Sequence, residues 1–390
     1  MYGMLNYLDD YGDNTFLQAP FNHVDNLVLA EMCYLDFENI LPNLRRAPES
    51  KPLRQVAAEY ATFLKDGQRK TDKLVNRFDI SLIEKMAETR RFGDIAMCCY
   101  TTEVDLEIEK QFAALVYCLS DEVHYLAFRG TDNNIVGWKE DFMSSYLSST
   151  PSQQDALNYL NTVFDKFDGR FYVGGHSKGG NLAVYASSKT TAANKARILQ
   201  VYNNDGPGFS KDFIDSADYN EILPKITTIL PQFSIIGQLL EQKGEPIIID
   251  SSGLGFAQHL PQTWRIDHND FVRAEMRESA RLLNQAINNW MDQLSVEKRK
   301  IFVDTLFDIF GSSDGEEAIV PLSESIKHLQ KIKERYKSID DEAKQEMESA
   351  FDLLKQEIVT AFQASIKSIF SKSDKEASDE AKDTPLPKNT

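Results

Sequence analysis

The chain has 390 residues, 42% apolar and 26% charged, enough for a large core and one extra domain. Its formal net charge is −17. That acidity argues against a nucleic-acid binder, which needs a basic face, and against electrostatic attachment to anionic lipid.

The first residues, MYGMLNYLDDYGD, are acidic and have no apolar h-region, so no secretory signal is expected. Residues 13–41 alternate turn and helix signals, with Asp25 placed to cap a helix carrying Leu27, Val28, Leu29, Met32 and Leu35. Residues 42–95 read as polar helix, best at Arg54–Leu64 and Ile80–Thr89, with a break at Arg90–Asp94. The pattern then changes. Two apolar runs, Gln111–Leu119 and Val123–Phe128, are separated by Ser-Asp-Glu and read as a β-hairpin or adjacent strands. The second empties into the turn Arg129-Gly130-Thr131-Asp132. Trp138 and Asp141 follow in a helix-like segment, and Gln154–Phe167 is an amphipathic helix. Further strands are expected at Phe171–Val173, Ile198–Tyr202, Ile226–Leu230 and Pro246–Asp250. Strands alternating with helices imply an α/β class with a mainly parallel sheet covered on both faces. Ligand chemistry in such sheets collects at the carboxyl ends of the strands.

After about Asp270 strand signals disappear. Phe271–Asp292 and Val296–Phe310 read as helices, and 311–315 as a linker. Residues 322–370 read as one or two long charged helices with a single apolar stripe from Leu322 to Phe362. That stripe packs on the body or folds back as a hairpin; the alternative is a protein partner or self-association. Its charges are mixed in sign, which disfavours a membrane-surface helix. The expected division is an α/β body over 1–270 including the N-terminal helices, a helical extension over 271–370, and a polar, disordered tail over 371–390. No run reaches the ~18 apolar residues of a membrane span. Cys33, Cys98, Cys99 and Cys118 lack the spacing of a zinc site and the histidines are scattered, so no metal or cofactor is expected. Free thiols in a reducing cytosol are the simple reading, and a cytoplasmic location the expectation.

The stretch that carries chemistry is Arg170–Ala186, RFYVGGHSKGGNLAVYA. It reads as a short strand, a sharp turn holding Ser177, and a helix. Gly175-x-Ser177-x-Gly179 has the spacing of a nucleophile elbow, in which strained backbone presents the serine hydroxyl and small neighbours let adjacent backbone pass. A phosphate loop fits less well, because Gly180 follows Gly179 where Lys and then Ser or Thr are needed.

A serine at neutral pH needs a base, an orienting acid and oxyanion donors. In α/β-hydrolases the order along the chain is serine, acid, histidine. His259, His268 and His328 follow Ser177. His259 lies in a loop shortly after the last strand, where this fold places its base. His268 sits among polar residues and His328 in the charged C-terminal helix, both read as surface. The loop after the Ile226 strand, Pro231-Gln-Phe-Ser234, has no carboxylate. The preceding strand ends at Asp205 in a tight Gly-Pro turn, which makes Asp205 the expected acid, with Asp250 in reserve; an Asp that merely holds its own turn is the bland alternative. The backbone N–H of Lys178 and the N–H or hydroxyl of Thr131 are the expected oxyanion donors. His176 lines the pocket or simply packs.

Ala127-Phe-Arg-Gly-Thr131, Trp138-x-x-Asp141 and Gly175-His-Ser-Lys-Gly179 resemble the motif series of class-three lipases. The chain is more closely similar to the Mbeg-like proteins, a bacterial family of unknown function with an α/β-hydrolase core. The similar stretches are Pro20-Phe-Asn-His-Val-Asp-Asn-Leu-Val-Leu29, Gly174-Gly-His-Ser-Lys-Gly-Gly-Asn-Leu-Ala183, Asn204-Asp-Gly-Pro-Gly208 and Gln258-His-x-Pro-x-x-Trp264, within residues 20–275. The resemblance implies Ser177 as nucleophile and His259 as base. It departs at the acid: class-three lipases usually carry an Asp where this chain has Ser234, so either Asp205 substitutes or the triad is degraded.

Two functions follow as expectations. One is a serine hydrolase cleaving a lipid-like or small carboxylic ester through an acyl-enzyme on Ser177. The other is a catalytically weak or inactive α/β-hydrolase fold that binds a ligand or partner.

Overall fold

The structure is a computed structural model, which describes residues 2–65, 74–105, 110–130, 149–295 and scattered positions from 297 to 356. Trp138, Asp141, His328, the 322–370 stripe and the 371–390 tail lie outside the described residues or are described only at isolated positions, and of the 271–370 helical extension the continuous described part is 271–295.

Among the described residues eight strands form one sheet in sequential order: β1 (Lys51–Pro52), β2 (Ala96–Asp105), β3 (Lys110–Cys118), β4 (Val123–Phe128), β5 (Arg170–His176), β6 (Ile198–Asn204), β7 (Ile226–Pro231) and β8 (Ile247–Ile249). Pairing is antiparallel from β1 to β4 and parallel from β4 to β8. The architecture is α/β, with a mixed, mainly parallel sheet.

Both faces of the sheet are buried, because successive side chains on a strand point to opposite sides. Leu115, Tyr117, Tyr125 and Ala127 belong to one core, under the N-terminal helices α1 (Met4–Tyr11), α2 (His23–Glu31), α3 (Leu53–Lys65) and α4 (Leu74–Glu88). Ala114, Val116, Leu126 and Phe128 belong to the other, under α5 (Pro151–Lys166) and α6 (Lys178–Lys189). A strand buried on both sides reads as a continuous apolar run, which is why β3 and β4 were legible as such.

Three local readings change. The cap of α2 is Asn22, whose side chain accepts from the N–H groups of Val24 and Asp25. Asp25 instead reaches back to the Asn22 N–H, the second half of a capping box. Strands β1 and β2 add to the sheet ahead of the hairpin. The alternation of β2 is broken by a bulge between Cys98 and Thr101, with Cys99 at φ 60°, so its period-two signal is lost. Finally, strand pairing continues past Asp270. The ribbon β9 (Ile266–Asp267) and β10 (Asp270–Phe271) is followed by main chain that bonds β8: Asp250 N–H to Val272 O at 2.8 Å and Ala274 N–H to Ile248 O at 2.9 Å. Those backbone groups are used sideways, so the next helix begins only at Glu278 and runs Glu278–Gln293.

Candidate active site

Strand β5 lies between β4 and β6 and delivers Ser177 at its carboxyl end, immediately before α6. Ser177 has φ 57° and ψ −132°, a conformation that costs free energy for any residue with a Cβ. The surrounding backbone holds it there. A Cβ on Gly175 would lie 2.4 Å from Gly179 C, and one on Gly179 would lie 2.2 Å from Phe128 O. Only glycine fits at either position, which is the physical content of the Gly-x-Ser-x-Gly spacing. The Ser177 N–H donates to Asn204 O at 2.9 Å and so fixes the turn to the end of β6.

The turn after β6 supplies Asp205, fully buried and at φ 52°. Its N–H donates to Ile229 O on β7 at 2.9 Å. Its Oδ2 lies 2.6 Å from Nδ1 of His259, and Nε2 of His259 lies 3.0 Å from Ser177 Oγ. A carboxylate oxygen only accepts, so Nδ1 carries the proton and Nε2 offers its lone pair to the serine hydroxyl. An imidazole held in that tautomer can take a proton from Ser177 as the hydroxyl attacks.

The loop carrying His259 is fastened at several points. Trp264, buried, donates its indole N–H to Gln258 O at 2.8 Å. Gln258 Oε1 accepts the Phe233 N–H at 3.0 Å and ties the base loop to the loop after β7. The Gln-His-x-Pro-x-x-Trp stretch is thus a frame around the histidine. In the loop after β7, Ser234 Oγ donates to Asp205 Oδ1 at 2.5 Å and accepts the Gly237 N–H at 3.1 Å. Helix α7 (Glu278–Gln293) secures this loop, with Asn284 Nδ2 donating to Ser234 O at 2.9 Å.

The structure therefore brings together Ser177, His259 and Asp205, and places Lys178 at the first turn of α6 beside the elbow. Thr131 lies outside the described residues. Asp250 stands apart: Gln232 Nε2 and Arg265 Nη1 engage its two oxygens at 2.7 and 3.1 Å. His268 is exposed and bonded to its neighbour Asp267.

Sequence reasoning missed the residues that support the elbow from behind. Asn204 Nδ2 donates to Gly175 O at 3.0 Å, Asn26 Nδ2 to Asn204 Oδ1 at 2.9 Å, and the Tyr125 hydroxyl to Asn26 Oδ1 at 2.8 Å. All are buried. This network links Asn26 of α2, within the Pro20–Leu29 stretch, to the elbow; a polar residue inside the apolar α2 pattern is the signal that could have pointed to it. Next to Ser177, His176 is buried. Burial first, and then the nearby His259, hold its pKa well below the usual histidine range.

Comparison with known proteins adds a family. No curated protein matches the chain. Solved structures with a likeness include M37 lipase (17% identity, 42% of this chain and 61% of that one, TM-score 0.29). Others are the Rhizomucor miehei lipase propeptide complex (15%, 56% and 79%, TM-score 0.32) and a fungal lipase–inhibitor complex (17%, 51% and 76%, TM-score 0.30). The chain spans about three fifths of the M37 lipase it matches. The Mbeg1-like family model matches residues 86–308, more than half of the sequence. The chain belongs to the Mbeg1-like family.

Proposed function

We propose that the chain is a serine hydrolase that cleaves a carboxylic ester through an acyl-enzyme on Ser177. The observation that carries this is the unbroken relay from Ser177 Oγ to His259 at 3.0 Å and on to Asp205 at 2.6 Å. Ser177 Oγ attacks the acyl carbonyl while His259 Nε2 takes its proton. Asp205 stabilises the imidazolium and keeps its ring oriented without taking the proton itself. The tetrahedral oxyanion is held by the N–H of Lys178, aided by the positive end of α6, and by Thr131 in the role expected from the sequence. Collapse expels the alcohol, which takes the proton back from His259. Water then attacks the acyl-enzyme by the same route in reverse.

The geometry supports this reading over a non-catalytic binding module. In favour of the hydrolase, Asp205 in the turn after β6 lies within hydrogen-bond distance of His259 although the loop after β7 has no carboxylate. Labelling the folded protein with a fluorophosphonate probe tests the reading. Modification at Ser177 that is lost in Ser177→Ala is expected; a folded wild type that takes no label would sink it. A panel of p-nitrophenyl esters of increasing acyl length then reads the substrate class, with a rise along the series pointing to lipid and a fall to a small ester.

A further inference from the structure

We propose that Tyr34 and His176 are positioning residues for the base: the His176 ring bridges the Tyr34 hydroxyl and the main-chain carbonyl of His259, and so sets the distance from His259 Nε2 to Ser177. This rests on the hydrolase reading above and deepens it.

The chemistry of the bridge allows one arrangement. His176 Nε2 lies 2.9 Å from His259 O. A carbonyl oxygen only accepts, so Nε2 carries the proton. Nδ1 is then the unprotonated nitrogen and accepts from the Tyr34 hydroxyl at 3.0 Å. The same hydroxyl lies 3.4 Å from His176 O. The ring is therefore neutral and committed at both ends. Its environment agrees, since burial and the neighbouring His259 both disfavour protonation. The ring also lies against the His259 ring, tilted by 37° at 4.7 Å between centroids, and makes a T-shaped contact with Trp264 at 6.2 Å.

The position explains what the bridge does. His259 ends a 3-10 turn, Gly255–His259, that follows the protruding Leu254, 82% exposed. A base on such a turn needs fixing by more than its ring. Asp205, after β6, holds the ring; His176, at the end of β5, holds the main chain of the same residue. Because His176 immediately precedes Ser177, the bridge ties the base loop to the strand that carries the nucleophile. The Tyr34 end is equally close to the reacting centre. A Cβ on Gly130 would lie 2.1 Å from the Tyr34 hydroxyl oxygen, 2.5 Å from His176 O and 3.1 Å from Ser177 Cβ. A phenylalanine at 176 would fill the space yet make neither bond.

The test compares wild type, Tyr34→Phe, His176→Phe and His176→Gln, all as the full chain. Inactivation by a fluorophosphonate and turnover of a p-nitrophenyl ester are measured, with thermal melts to establish folding. Losing one hydrogen bond that orients a catalytic group corresponds to a fall of about tenfold. His176→Phe is expected to lower kcat by about that factor or more, with KM changed less than ~3-fold. Tyr34→Phe falls in the same direction and by less. The glutamine amide can donate to His259 O and accept from Tyr34, so His176→Gln recovers most of the rate. If His176→Phe does not fold, Tyr34→Phe and His176→Gln decide. Wild-type kcat in Tyr34→Phe together with no advantage of glutamine over phenylalanine overturns the positioning role while leaving the hydrolase intact. When His176→Phe has not folded, wild-type kcat in Tyr34→Phe does the same. A wild type that does not label overturns the hydrolase reading itself, and this inference with it.

Discussion

Ser234 Oγ donates a 2.5 Å hydrogen bond to Oδ1 of Asp205, leaving Oδ2 to His259. The loop after β7, which has no carboxylate of its own, thus reaches the site through a serine that bonds the carboxylate from the turn after β6. Asp205 is fully buried, so each bond to it matters: a hydrogen bond to a charged group contributes about 1.5–3 kcal/mol. Ser234→Ala is expected to slow fluorophosphonate labelling of Ser177 by about tenfold. Asp205→Asn, which changes the tautomer the histidine adopts, is expected to cost about 10³–10⁴. Equal labelling rates for wild type and Asp205→Asn would remove Asp205 from the relay.

The elbow is specified by backbone contact. A Cβ on Gly179 would meet Phe128 O at 2.2 Å and Arg129 C at 2.9 Å, neither of which is a flexible side-chain end. Gly179→Ala is expected to destabilise the fold by about 1–3 kcal/mol or more, as overpacking does. Gly3→Ala, whose Cβ meets nothing closer than 3.8 Å, is the control, with a change within about 0.5 kcal/mol. Urea melts of the two variants give the comparison.

Asp25 and Arg91 form a fully buried ion pair, with Nε to Oδ1 at 2.7 Å. The Tyr7 hydroxyl donates to the same carboxylate at 2.7 Å, and Arg91 Nη1 donates to Asn14 O and Ala19 O. The pair anchors α1, α2 and the segment between them. Removing one partner strands a buried charge, so Arg91→Met is expected to cost about 3–5 kcal/mol. The double variant Arg91→Met with Asp25→Leu should recover part of that loss. Additive losses in denaturant melts would show that the two charges act independently.

Two buried groups contribute to the pH dependence of stability with opposite signs. Burial pushes Glu31 up to about 8 from the ordinary 4.5. Between those values the unfolded chain releases a proton that the folded chain keeps, so this group favours the fold below about pH 4.5 and its contribution is lost as pH rises towards about 8. His176 acts with the opposite sign. Its folded pKa is depressed below 6.5, so the unfolded chain takes up a proton first and stability falls as pH drops below that value. Glu31→Gln is expected to make the urea midpoint fall less, or not at all, as pH rises from about 4.5 to about 8. The same fall in the variant as in wild type would refute the assignment to Glu31.

Much of the fold was legible because its signals are local. The apolar runs of β3 and β4, the repeated strand–helix alternation and the turn glycines of the elbow depend on neighbours a few residues away. What failed to show was β2, whose bulge at Cys98–Thr101 breaks the alternation, and the β10 segment, whose strand character comes from bonds to β8 and not from its own residues.

By itself the sequence determined Ser177 in its elbow, and the short set of histidines and carboxylates able to serve it, because strained turns and chain order leave few residue types open. Only the tertiary structure decided that Asp205 faces His259 while Asp250 is engaged by Gln232 and Arg265, that Ser234 bonds Asp205, and that Asn26 and Tyr34 reach the elbow from the N-terminal region. Those relationships join residues from 15 to 178 positions apart, for example Asn26 with Asn204. Local propensity carries no record of which distant strand ends a sheet will bring side by side; that follows from strand order and register alone.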